Sequence, residues 1–195
     1  MNAAVKVAGQ IKSSRQDGLL VQECLKGSEE AWSALIDKYK NLIFSIPIKS
    51  GFSRDEAAEI FQAVCVGVLQ ELPQLREPSA LAAWLIKMTS RKCFRWREQR
   101  NRYINTELQE MLPDEFPKMP EELFREVERE QILREALAAL SVDCKRLIEL
   151  LFFENPPVPY EELSNTLGIA KGSIGATRMR CLEKLRRSLE KKGFR

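Results

Sequence analysis

The sequence predicts an all-α protein built as two helical domains joined by an acidic, flexible linker. Three observations carry this. Apolar residues recur at helical spacing through most of the chain, no stretch alternates in the manner of a half-buried strand, and proline-bearing breaks separate the periodic segments. With 195 residues, 44% of them hydrophobic and 30% charged, the chain can bury one large core or two small ones.

Residues 1–16 lack periodicity and are expected to be disordered. Asp17 opens a short helix with Leu19, Leu20, Cys24 and Leu25 as its apolar side, and Gly27 ends it. Ser28 is a good N-cap for the next helix, with Glu29 and Glu30 in the first turn where the helix dipole favours acids. Trp32, Leu35, Ile36, Tyr39, Ile43 and Phe44 give that helix a broad buried face, and Pro47 is expected to kink or shorten its end. Gly51-Phe52 makes the break. Ser53 then caps a third helix with a core stripe of Ala57, Ile60, Phe61, Val64, Val68 and Leu72 and a polar face of Asp55, Glu59 and Gln62.

Pro73 stops that helix, and a loop over 73–79 leads to a fourth from about Ser79 to Arg100. Its first half, with Trp84, packs inward; its second half is cationic, with Phe94 and Trp96 interleaved. Three prolines and weak periodicity mark 105–120 as linker. A helix resumes over Glu121 to Leu140, Ser141 caps another, and NPPVP breaks the chain once more. The domains are set at 17–104 and 127–195, with the linker over 105–126.

The last segment reads as a helix-turn-helix. Tyr160 to Leu167 forms a short helix with Leu163 and Leu167 on one face, Gly168 reverses the chain, and Ile169 plugs the turn. Lys171 to Leu189 forms a longer helix with Ile174, Met179, Leu182, Leu185 and Leu189 as its buried stripe. Its other face carries Lys171, Ser173, Arg178, Arg180, Lys184, Arg186 and Arg187, a pattern suited to a major groove. The plainer alternative is a basic helical hairpin solvating a surface. The small residues Gly172, Ser173, Gly175 and Ala176 favour DNA. Gly175 costs roughly 1 kcal/mol in a helix against alanine, which close approach to a phosphate or base edge would offset.

Charge is distributed in blocks, although the net charge is only +3. Arg91, Lys92, Arg95, Arg97, Arg100 and Arg102 form one basic block and the chain beyond Lys171 another. Between them lie Glu107, Glu110, Asp114, Glu115, Glu121, Glu122, Glu126, Glu128 and Glu130. Two nucleic-acid contacts joined by a segment that avoids the duplex would look like this. In the first block, Arg91, Arg95, Trp96 and Arg97 beside Phe94 fit a groove for single strands, with aromatic faces for bases and cations for phosphates. A core role for Phe94 and Trp96 is the competing reading.

Histidine is absent and no metal-ligand spacing occurs, so the sequence points to no enzyme, metal or cofactor. No apolar run is long enough to span a bilayer, and the first residues lack the apolar core of a signal peptide. The five cysteines are scattered, and their odd number argues against a complete disulfide framework and for a reducing cytoplasm. Cys93, among cations, is either a redox-sensitive thiol or a buried inert one.

The chain resembles a bacterial RNA polymerase sigma factor of the extracytoplasmic-function group. The resemblance lies in DGLLVQECLKGSEEAWSALIDKYKNLI, AAEIFQAV and AAWLIKMTSRKCFRWR for region 2, and in LAALSVDCKRLIELLFFE and YEELSNTLGIAKGSIGATRMRCLEKLRRSL for region 4. It implies a promoter-specific initiation factor whose partners are core RNA polymerase and promoter DNA, duplex and melted. An anti-sigma protein is a further implied partner. Asp55, Glu59 and Gln62 would dock on a coiled coil of the core enzyme, with Ala58 standing where the family usually has glutamate. The loop from Gln74 to Ser79, including Arg76, would help capture a flipped base of the minus-ten element. Ser90, Arg91, Arg95, Trp96 and Arg97 would hold the strand there, with Arg91 and Arg95 replacing asparagine and aspartate. Lys171, Ser173, Gly175, Ala176, Thr177, Arg178 and Arg180 would read the minus-thirty-five duplex. The linker would either enter the polymerase channels as a nucleic-acid mimic or remain a solvated tether. Two other functions fit the residues: a DNA-binding regulator acting without polymerase, and a helical protein-binding adaptor.

Overall fold

The computed structural model describes residues 16–104 and 120–194, with backbone alone over 101–104. The expected disordered N-terminus, apart from Gln16, and the linker over 105–119 lie outside the described residues. The described residues are helical with no strand: α1 (16–25), α2 (Glu29–Lys49), α3 (Arg54–Glu71), α4 (Leu81–Ile104), α5 (Glu121–Ala138), α6 (Val142–Phe152), α7 (Tyr160–Leu167) and α8 (Ile174–Lys191). Single 3-10 turns at Leu72–Gln74, Pro78–Ala80 and Lys171–Ser173 join some of them. None of these helices is long and apolar enough to cross a membrane.

Two compact units divide the chain between Gln131 and Ile132, within α5. This is later than the expected boundary after residue 126. Acidic residues at Glu121 and Glu122 sit in the first turn of α5, and its Val127 is fully buried in the first unit's core. Glu121 and Glu122 thus stand where the positive end of the α5 dipole favours acids, and Glu126, Glu128 and Glu130 lie within the helix.

In the first unit α2, α3 and α4 pack on one another in all three pairings. Leu35, Tyr39, Leu42, Ile43 and Ile46 of α2 meet Ile60, Val64 and Val68 of α3 and Leu81, Leu85 and Met88 of α4. Gly67 lets α3 and α4 approach, since a Cβ there would stand 3.2 Å from the Met88 sulfur. Ser28 caps α2 by accepting the Ala31 N–H at 3.1 Å, and Ser53 and Glu56 form a reciprocal capping box on α3. Pro47 does not itself end α2, which runs on to Lys49. The proline is buried within the last turn, and Ser50 and Phe52 donate their N–H groups to its carbonyl at 3.0 and 3.1 Å.

The apolar face of α1 is half the one its pattern predicts: Cys24 is buried and Leu20 packs on the core, but Leu19 and Leu25 do not. Leu19 and Leu25 are 64% and 50% exposed, while Val21 and Cys24 are buried. Asp17 sets this register: it is itself buried and takes a hydrogen bond of 2.5 Å from Lys38 of α2, turning the helix so that Val21 and Cys24 follow it inward.

The second unit closes around Ala136, Leu147, Ile148, Leu163, Ile174 and Leu185. Lys192 pairs with Glu135 at 2.6 Å, tying the residue after α8 to α5. Ser141 occupies the N-cap of α6, though its side chain makes no cap hydrogen bond. Gly168 adopts φ 64°, and the Ser164 hydroxyl donates to the Ile169 carbonyl at 2.7 Å across the turn. Two expectations for α8 are corrected. It begins at Ile174 after a 3-10 turn, and Met179 is 60% exposed while Cys181 takes its place in the core. Cys181 is bonded to Cys144 of α6, leaving Cys24, Cys65 and Cys93 as thiols. The odd cysteine count does not foresee this pair, and it removes the basis for reading a reducing compartment from cysteine usage.

Candidate nucleic-acid and polymerase interfaces

On α3, Asp55, Glu59 and Gln62 are all exposed. Their spacing puts them on one face, which continues into the exposed apolar residues Val66 and Leu69. Beside it α2 and α3 form a groove of about 440 Å³ lined by Trp32, Ser33, Ile36, Asp37, Cys65 and Leu69. The polar part of this face was legible in the sequence. Its apolar continuation was not, although Val66 and Leu69 stand outside the core stripe and so signal a second, exposed face.

On α4 the basic residues separate into two sets. Arg91 and Arg95 are exposed one turn apart, and Lys87 precedes them at the same spacing. Arg91 lies 3.9 Å from Glu71, a loose pair that leaves its outer surface in solvent. Phe94 is half-buried next to this stripe. Arg97 is on the other side of the helix: it donates at 2.8 Å to the Ser50 carbonyl and sits over the Phe52 ring at 5.3 Å. Trp96 packs against the core. Ser90 is half-buried and donates back to the Ile86 carbonyl at 2.7 Å. Arg76 is exposed in the loop between two 3-10 turns. Of the residues predicted for the opened strand, the structure thus aligns Arg91 and Arg95, packs Trp96 against the core and commits the exposed Arg97 to the α2 C-terminus. Lys87 was missed; the four-residue repeat of cations was the available signal.

Cys93 is 6% exposed, and burial pushes its thiol up to about 12 despite the lowering influence of Arg97. A thiol that stays protonated and covered is a packing group. The inert alternative holds.

In the second unit Ser173, Ala176, Thr177 and Arg180 share one face of α8 and its leading turn, and Lys184 extends it. Arg180 donates to the Thr177 hydroxyl at 3.2 Å, and Lys171 reaches Glu161 of α7 at 3.2 Å. Arg178 is half-buried on the core side and donates to the Tyr160 hydroxyl at 3.1 Å. It braces α7 against α8 and does not join the exposed face. Gly175 also lies off that face, and nothing stands within 4 Å of where its Cβ would be. Crowding by the protein therefore does not explain the glycine.

Residues 35–103 match the protein-family model described as Sigma-70 region 2. The match covers α2 from Leu35, all of α3 and nearly all of α4, the helices that carry the exposed α3 face and the α4 cationic stripe. Region 2 domains of sigma factors bind core RNA polymerase and promoter DNA, and sigma factors are non-enzymatic initiation factors. The match supports a sigma-factor family member with a role in promoter recognition. Comparison with curated proteins finds no match to the chain.

Proposed function

We propose that this protein is an alternative sigma factor of the extracytoplasmic-function type. It acts in the cytoplasm, where it binds core RNA polymerase and directs it to specific promoters. The observation that carries the reading is the Sigma-70 region 2 match over 35–103, which falls on the helices bearing the predicted contact residues. Asp55, Glu59 and Gln62 on α3 meet the core enzyme, with Val66 and Leu69 adding apolar contact. Lys87, Arg91 and Arg95 on α4 and Arg76 in the preceding loop engage the minus-ten element, cations meeting phosphates along the opened strand. In the second unit, which acts as region 4, Ser173, Ala176, Thr177, Arg180 and Lys184 face the minus-thirty-five duplex. Small side chains there favour close approach and readout of DNA shape. An anti-sigma protein covering the α3 face is the expected control.

Gel filtration with purified bacterial core RNA polymerase tests this. Co-elution, followed by transcription from selected members of a promoter library, is the expected result. Separate peaks with tight duplex binding by the free protein would indicate a regulator acting without polymerase. Separate peaks with no duplex binding would indicate a helical adaptor.

A further inference from the structure

The second unit contains a covalent cross-link that its proposed role does not use. Cys144 in the first turn of α6 is bonded to Cys181 in α8, across a sequence separation of 37 residues. Both are buried, Cys144 at 6% and Cys181 at 1% exposure, among Leu147, Ile148, Leu163, Ile174 and Leu185. Cys181 directly follows Arg180 and lies one turn beyond Thr177, so the bond grips α8 immediately behind its exposed polar face. The helices beside it are short, α6 with 11 residues and α7 with 8, and the bond adds to the apolar core, the Arg178–Tyr160 hydrogen bond and the Lys192–Glu135 pair that also hold α8. In a core this small, a cross-link carries a large share of the stability. The same two cysteines as thiols would still pack as small apolar groups, so the fold accommodates both states.

We propose that the Cys144–Cys181 bond is a reversible redox lock on the DNA-facing helix of the second unit. This rests on the reading of α8 as a duplex-binding helix. A dithiol opens the lock. One of its thiolates attacks Sγ of Cys144, the less buried residue of the pair, forming a mixed disulfide and releasing the Cys181 thiolate, which takes up a proton. The second thiolate of the reductant attacks its own sulfur in the mixed bond and departs with it as a cyclic disulfide. Cys144 leaves as a thiolate and is protonated in turn. The protein gains two electrons and two protons, and a small-molecule disulfide reverses each step. In the oxidised form α8 is held in register on α6. In the reduced form it opens more often and binds duplex less tightly.

The test uses the full-length protein before and after dithiothreitol, and again after oxidised glutathione. Native alkylation should report two new reactive thiols on reduction, mapped to Cys144 and Cys181. Hydrogen exchange of α8 amides should accelerate about a hundredfold or more, as expected when a loop of this length loses its cross-link. Affinity of its complex with core RNA polymerase for a promoter-library duplex pool should fall several-fold, and all three changes should revert on reoxidation. The paired variant Cys144→Ala, Cys181→Ala should match the reduced wild-type protein. A bond that opens only in denaturant overturns the proposal. So does α8 exchange that is unchanged on reduction while duplex binding persists. Absence of promoter-duplex binding by the polymerase complex in both redox forms overturns instead the reading of α8 on which the proposal rests.

Discussion

Arg97 and Ser50 close the corner between α2 and α3. The guanidinium donates at 2.8 Å to the carbonyl of Ser50, the C-cap of α2, while its carbon lies 5.3 Å from the centre of the Phe52 ring. A cation at the negative end of a helix, stacked on an aromatic face, is a structural group. Its neighbours Arg91 and Arg95, a few residues earlier on the same helix, face away from that corner. One basic block of the sequence thus contains two jobs.

These jobs separate experimentally. Arg97→Ala should destabilise the first unit by about 1 kcal/mol, read as a lower thermal midpoint. Arg91→Ala and Arg95→Ala should change stability by less than about 0.5 kcal/mol. Each of the latter should instead reduce the slope of log affinity against log salt on single-stranded DNA by about 0.7. Fluorescence anisotropy across a salt series measures this.

The two glycines around the turn before α8 should respond in opposite directions to alanine. Gly168 holds φ 64°, so Gly168→Ala should cost about 1–2 kcal/mol. Gly175 lies in the first turn of α8 with open space around it, so Gly175→Ala should stabilise the unit by up to about 1 kcal/mol. Chemical denaturation of both variants settles the signs. If the alanine at 175 also weakens duplex binding, the DNA approaches the backbone there.

Acid should weaken the N-terminus of α3. Glu56 accepts the Ser53 backbone N–H at 2.8 Å, which holds its carboxyl below the usual 4.5, helped by the Ser53 side chain and by Arg100. A depressed carboxyl adds stability that is present above the unfolded value and lost as pH falls through the folded one. Wild-type protein should therefore be more stable than Glu56→Gln at pH 7, and the difference should shrink below about 4.5. Parallel melts of the two proteins from pH 7 to 3 check the sign.

Docking on polymerase should depend on charge at α3. Glu59 is exposed, so Glu59→Arg should leave the thermal midpoint nearly unchanged. Its affinity for core enzyme should fall about tenfold, since reversing a charge at an interface costs both steering and contact. Titration of labelled core enzyme with the variant measures the loss.

Much of this architecture was legible in the residues. Ser28, Ser53, Gly51 and Gly168 mark helix ends because each satisfies a local backbone requirement that needs no knowledge of the partner helices. Face assignments failed where a distant partner decided them. Leu19 and Leu25 look like the core of α1 until Lys38 pulls Asp17 inward. Arg178 looks like a DNA contact until Tyr160 is found beside it, and Trp96 and Arg97 look like a binding platform until the α2–α3 corner is built. Periodicity gives the number of faces on a helix, and only tertiary packing says which faces are covered. The pairing of Cys144 with Cys181 joins two segments 37 residues apart and depends on how α6 crosses α8, which no local pattern encodes.

The distribution of sulfur also equips the protein for its own spectroscopy. Cys24 and Cys93 are buried and Cys144 and Cys181 are tied together, whereas Cys65 is half-exposed on α3, three residues beyond Gln62. Burial raises its thiol, so coupling to a maleimide fluorophore should proceed slowly at neutral pH and faster in mild base. A dye placed there without any engineered cysteine would sit at the rim of the α2–α3 groove, where its emission would register whatever arrives on that face in real time.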